Sequence, residues 1–151
     1  MVKTFIRQAV SSDFPTLLSI DKASFPPGIA YDSSELSYFM RRDGAHTLVA
    51  EVDGEIVGFI LMDILPRRKL ATVVTLDVPE QYRRQGHATS LLNSAEEVLQ
   101  NNGIARCELQ VDVNNEGAIE FYTKHGFEKI RPLPNYYSNG HDAYLMAKRL
   151  A

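Results

Sequence analysis

Apolar and polar residues follow two rhythms along this chain, and each change of rhythm marks an element. Thr4 to Ala9 has strand character, and Ser11-Ser12-Asp13 then offers N-cap side chains to a helix with apolar positions at Phe14, Leu17, Leu18 and Ile20. Phe25-Pro26-Pro27-Gly28 ends that helix. Asp32-Ser33-Ser34-Glu35 starts a second one, carrying Leu36, Phe39 and Met40 on one side until Asp43-Gly44. Thr47–Val52 and Glu55–Leu65 flank Asp53-Gly54, a pair suited to the positive φ values of a tight hairpin. Leu70–Val78 is β-branched and continues the sheet. Gly86–Asn102 repeats Leu91, Leu92, Ala95, Val98 and Leu99 at helical spacing, with Asn93, Glu96, Glu97 and Gln100 predicted to face outward. Cys107–Val113 predicts a strand, Glu116–Lys124 a helix closed by His125-Gly126, and Phe127–Arg131 and Asp142–Lys148 the last two strands. The order βααβββαβαββ predicts an α/β fold in which helices cover a mixed sheet.

Composition narrows the class. With 151 residues, 44% hydrophobic and 23% charged, the chain has the profile of a single folded domain, expected to span residues 1–151. A net charge of -3 argues against nucleic acid as the main partner. The lone Cys107 excludes an internal disulfide, and His46, His87, His125 and His141 show no metal-ligand spacing, so no metal is expected. The N-terminus carries no signal-peptide pattern and no apolar run is long enough to span a bilayer, which predicts a cytoplasmic protein without a membrane partner.

The chemistry concentrates between residues 75 and 89, where a hydrophobic strand gives way to Tyr82-Arg83-Arg84-Gln85-Gly86 and then to a long helix. The first turn of a helix exposes unpaired N–H groups and a positive partial charge, so a pyrophosphate placed there gains hydrogen bonds and field together. Gly86 permits close backbone approach, Arg83 and Arg84 add positive charge, and Ala88 keeps bulk away. An ordinary charged connection between strand and helix is the alternative reading. Neither G-x-G-x-x-G nor G-x-x-x-x-G-K-[ST] occurs, which disfavours dinucleotide and P-loop sites.

Arg83-x-x-Gly86-x-Ala88 resembles the acetyl-coenzyme A signature of the GNAT superfamily of N-acetyltransferases, and Asn115-x-x-Ala118-x-x-Phe121-Tyr122-x-x-x-Gly126-Phe127 resembles a second motif of that family. The resemblance covers the whole chain and is nearest to the RimI-like protein N-terminal acetyltransferases. It implies the GNAT fold, acetyl-coenzyme A as co-substrate, and contacts to it from Leu76, Val78, Arg83, Arg84, Gln85, Gly86, His87, Ala88, Thr89, Asn115 and Tyr122. It further implies that a bulge in the fourth strand aims the Val78 N–H at the thioester carbonyl and that Tyr122 protonates the departing sulfur. Tyr122 read without the family is a helix residue packed on the sheet, and Asn115 is equally a helix N-cap.

The acceptor is implied to be the N-terminal α-amine of a peptide or protein, held between two loops by Phe25, Pro26, Tyr31, Tyr136 and Tyr137. A small-molecule amine and a non-catalytic coenzyme A-binding module are the alternatives. Where related enzymes carry a basic Glu or His, this chain has Gln110, which suits holding a water. Asp112, two residues on and so on the same strand face, is the nearby carboxylate. Another relative's fourth-strand tyrosine corresponds to Thr72.

Overall fold

The computed structural model describes residues 3–150. Its elements follow the expected order: β1 (Phe5–Gln8), α1 (Phe14–Ser24), α2 (Ser33–Met40), β2 (Ala45–Val52), β3 (Glu55–Leu65), β4 (Leu70–Asp77), α3 (His87–Asn101), β5 (Arg106–Asp112), α4 (Glu116–Lys124), β6 (Glu128–Leu133) and β7 (Ala143–Arg149). The strands form one sheet in the order β1-β2-β3-β4-β5-β7-β6, antiparallel except where β4 runs parallel to β5.

Local chemistry explains most of the boundaries. Asp32 accepts the Glu35 N–H at 2.8 Å while the Glu35 carboxylate accepts the Asp32 N–H at 3.1 Å, a reciprocal cap that starts α2. Asp53 and Gly54 adopt φ of 51° and 81°, as the hairpin between β2 and β3 requires. The start of α1 departs from expectation. Ser11–Asp13 form a short 3-10 turn, and no side chain caps the helix. The Asp13 carboxylate is drawn instead to the Arg7 guanidinium, at 2.8 and 3.1 Å, and to the Val10 N–H at 2.8 Å.

Alternate residues of the sheet feed two cores. Val57, Ile60, Met62, Val73, Leu109 and Val111 pack under α3 and α4, whereas Val49, Phe59 and Leu61 pack with Leu17 and Ile20 of α1 and Leu36 of α2. β3, apolar on both faces, is the center of this sandwich. Glu96 is the exception on α3. It turns inward, where its Oε1 accepts from Lys148 Nζ at 2.7 Å.

Two irregularities shape the site. β3 and β4 shift register between Leu61↔Thr75 and Met62↔Val73, leaving Val74 as an extra residue. The fourth strand thus carries a bulge, at Val74, and Val78 sits just past the strand's end. β4 and β5 pair only from Leu70↔Arg106 to Val73↔Leu109. Beyond that rung β4 keeps its bonds to β3 and β5 keeps its bonds to β7, so the two strands part and leave an opening in the sheet between them.

Candidate active site

At the open end of β4 the chain turns through an exposed, glycine-containing cradle. Arg84 and Gly86 have φ of 63° and 86°, and the first N–H to bond within α3 is that of Ser90, to the Gly86 carbonyl at 3.0 Å. No side chain caps this end, and a Cβ built on Gly86 would meet nothing within 4 Å. Unpaired N–H groups, the helix dipole and open space suit an anion.

The side chains around that cradle are arranged differently from the expectation. Arg83 is pinned through its Nε, which donates to the Val78 carbonyl at 2.8 Å, whereas the Arg84 guanidinium has no partner among the described residues; both residues are exposed. The His87 ring is buried; its Nδ1 meets the Thr4 hydroxyl at 2.8 Å and its Nε2 meets Gln85 Oε1 at 3.3 Å. Burial lowers the His87 pKa and favours the neutral ring. The Thr89 hydroxyl meets His125 Nε2 at 3.2 Å, while His125 Nδ1 donates to the Phe121 carbonyl at 2.8 Å. His87 and Thr89 thus present backbone N–H groups, not side chains, to an anion. Asn115 Oδ1 accepts the Ala118 N–H at 3.2 Å and caps α4, which leaves its amide nitrogen uncommitted.

Tyr122 is a buried residue of α4, in the core on the α3 and α4 face of the sheet. Its ring packs edge-on against Phe127 and Phe121, with centroids 5.5 and 5.4 Å apart, and its hydroxyl has no hydrogen-bond partner among the described residues. Burial pushes its phenol pKa up, so it stays protonated.

The opposite face, under α1 and α2, receives the acceptor candidates. Gln110 and Asp112 follow the last β4–β5 rung and alternate with the core residues Leu109 and Val111, which puts both on this face. The Tyr31 hydroxyl donates to the Val74 carbonyl at 3.4 Å, fastening the α1–α2 loop over the bulge. The β6–β7 loop touches the same loop through Ser138, whose hydroxyl donates to the Gly28 carbonyl at 3.1 Å. A Cβ on Gly28 would stand 2.8 Å from that of Asn139. Tyr136 and Tyr137 stand edge to face at 5.0 Å on this loop, with Tyr136 half-exposed. The two sequence-predicted loops are therefore brought together beside the opening.

Three groups were not visible in the sequence. Asp21 of α1 and Thr75 and Asp77 of β4 form a buried chain: the Thr75 hydroxyl lies 3.3 Å from Asp21 Oδ1 and is bonded to Asp77, and Asp21 Oδ2 accepts the Tyr31 N–H at 2.7 Å. Burial, then the neighbouring Asp21, raise the Asp77 pKa well above the ordinary carboxylate range. A protonated Asp77 that donates to Thr75, with Thr75 donating on to Asp21, lets one proton serve this chain and leaves Asp77 Oδ2 without a partner among the described residues. Above the unfolded carboxylate range the native state then holds a proton that the unfolded chain has released, so stability falls as pH rises toward Asp77's folded value. Asp77→Asn should flatten that decline. Melting curves at several pH values read the effect, with about 2–4 °C in Tm per kcal/mol at this chain length. A variant that keeps the wild-type slope contradicts the assignment.

Comparison with known proteins matches this architecture. The acetyltransferase (GNAT) family model covers residues 7–127, and the chain belongs to that family. It is 36% identical to an N-alpha-acetyltransferase of Sulfurisphaera tokodaii over 96% of this chain and 92% of that protein. It is also 36% identical to the L-amino acid N-acetyltransferase AaaT of Escherichia coli, over 71% of this chain and 70% of that one. The crystal structure of Ard1 from Thermoplasma volcanium superposes with a TM-score of 0.90 at 28% identity, covering 99% of each chain.

Proposed function

We propose that this acetyltransferase moves the acetyl group of acetyl-coenzyme A to the N-terminal α-amine of a polypeptide. The observation that supports this acceptor class is the joining of the two loops by Ser138 and Gly28 and the fastening of Tyr31 to the Val74 bulge; Phe25, Pro26 and Tyr31 on one side and Tyr136 and Tyr137 on the other would then hold the first residues of the acceptor. Likeness to the Sulfurisphaera tokodaii N-alpha-acetyltransferase supports the same reading.

In this reading the α3 end, with Arg84 and the N–H groups of Gly86 to Thr89, holds the pyrophosphate, and Asn115 contacts the pantetheine arm. Leu76 and Val78 line the strand edge along which that arm runs. The thioester supplies an activated acetyl group. The Val78 N–H bonds the carbonyl oxygen as charge develops on it, Tyr122 donates its phenolic proton to the departing sulfur, and Gln110 orients a water beside the incoming amine. Among the described residues no helix is long and apolar enough to cross a membrane.

A second reading, acetylation of a free amino acid, is favoured by the likeness to AaaT. Thiol release from acetyl-coenzyme A, followed across peptides with free N-termini, peptides blocked there but bearing lysine, and free amino acids, separates the two. Turnover confined to free-N-terminus peptides is expected. Turnover only on free amino acids supports the second reading, and coenzyme A binding without turnover on any acceptor supports a non-catalytic module.

A further inference from the structure

We propose that His141 is the base that accepts the proton of the acceptor amine and that Asp112 is the residue that positions it. This rests on the reading above, that an amine enters between the two loops. β5 ends at Asp112, beyond the last rung shared with β4 and on the face that those loops cover. Both Asp112 oxygens are engaged: Oδ1 accepts the Asn114 N–H at 2.9 Å, and Oδ2 accepts from His141 Nδ1 at 2.8 Å. A carboxylate so occupied serves as an orienting partner rather than as the base itself.

The contact also decides which imidazole nitrogen is free. Nδ1 carries the hydrogen that Asp112 accepts, so the lone pair lies on Nε2. Nε2 has no partner among the described residues, and the His141 side chain is 42% exposed. The hairpin holds the ring in place, because the His141 carbonyl accepts the Tyr137 N–H at 3.1 Å and the His141 N–H donates to Asn139 Oδ1 at 3.0 Å. Asp112 on β5 bonds the ring, and Tyr137 and Asp142 are its titratable neighbours along the hairpin; the Asp142 carboxylate accepts the Asn135 N–H at 2.8 Å. A base held by a third group through its other nitrogen is the arrangement that activates nucleophiles on unrelated folds. Neither rival on this face can replace it, since Gln110 has no basic nitrogen and Asp77 Oδ2 is sealed from solvent.

The proton balance closes. His141 Nε2 takes one proton from the α-ammonium, and the freed nitrogen pair bonds the acetyl carbon. As the carbon–sulfur bond breaks, Tyr122 gives its proton to sulfur. The second proton lost from the amine restores Tyr122, and imidazolium returns the first to water. The products are the acetylated amine, the thiol and one solvent proton.

The test uses the whole chain with acetyl-coenzyme A and a peptide that the wild type acetylates. His141→Ala should lower kcat by about 10²-fold with little change in KM for acetyl-coenzyme A, and added imidazole should restore part of the loss. Asp112→Asn should lower kcat about tenfold without moving that KM, and adding it to His141→Ala should cost no more than His141→Ala alone. His141→Gln, which can still donate to Asp112, takes alanine's place if the alanine variant melts early. A kcat within about twofold of wild type in the His141 variant, a loss that imidazole leaves unchanged, or losses that multiply in the double variant would each overturn the assignment. Failure of the acceptor reading looks different, because the wild type itself would then leave free-N-terminus peptides unmodified.

Discussion

Replacing Tyr122 by phenylalanine should lower kcat by about 10²-fold and leave acetyl-coenzyme A affinity within about twofold of wild type. The substitution removes one oxygen that has no partner among the described residues, so the ring's packing against Phe127 and Phe121 is retained and folding is not at risk. The phenol is suited to donation because burial keeps it protonated, yet a phenol is a weaker acid than a thiol. Transfer to sulfur is therefore favourable only as the carbon–sulfur bond breaks and the amine's second proton replaces the one given up. The kcat loss should accordingly appear in single-turnover acetyl transfer, not only in the steady state. An unchanged single-turnover rate in Tyr122→Phe would remove Tyr122 from the chemistry and leave it a packing residue of α4.

The second large effect concerns the cradle. Gly86→Val should weaken acetyl-coenzyme A binding by about 10- to 100-fold, measured by titration calorimetry. At φ of 86° a β-branched residue costs about 1–3 kcal/mol, and about 1.4 kcal/mol is tenfold in affinity. The chain relieves that strain by rotating the turn, which takes the Gly86 to Thr89 N–H groups off a common center. Gly86→Asn makes the cause legible, since asparagine tolerates the left-handed region far better than valine. It should bind several-fold more tightly than the valine variant. Equal affinity of the two would show that bulk in the cradle, not backbone strain, does the damage, and wild-type affinity in both would place the pyrophosphate elsewhere.

These predictions draw on features of unequal visibility in the sequence. Elements whose signals lie within a few residues were legible: the Asp32–Glu35 cap, the Asp53-Gly54 turn, the continuous apolar run of β3, and α4 at its exact bounds of Glu116–Lys124. The cradle was legible too, because a strand, a glycine-containing basic turn and an amphipathic helix are consecutive. Interactions that span the fold left no local trace. Glu96 reads as an outward residue on the α3 periodicity until Lys148, 52 positions away, bonds it. The side-chain partners of His87 and Thr89, Thr4 and His125, lie 83 and 36 positions away and were equally unannounced.

The acceptor face shows the same division. Period-two alternation put Gln110 and Asp112 together, whereas nothing near His141 announced that the β6–β7 hairpin would carry it to Asp112. Asp21, Thr75 and Asp77 are scattered among hydrophobic neighbours, and only the docking of α1 on β4 makes them one hydrogen-bonded chain. The bulge at Val74 had no glycine or other local marker, and it became visible only as a skipped partner in the β3–β4 register.

Acetyl transfer to an N-terminal α-amine is tested most directly inside one molecule. A peptide bearing both a free N-terminus and an internal lysine, incubated with the enzyme and acetyl-coenzyme A and then sequenced by tandem mass spectrometry, offers both amines at the same concentration. The fold and the joined loops predict the acetyl group on the first residue with the lysine unmodified; acetyl on the lysine side chain, with the N-terminus free, would contradict the account.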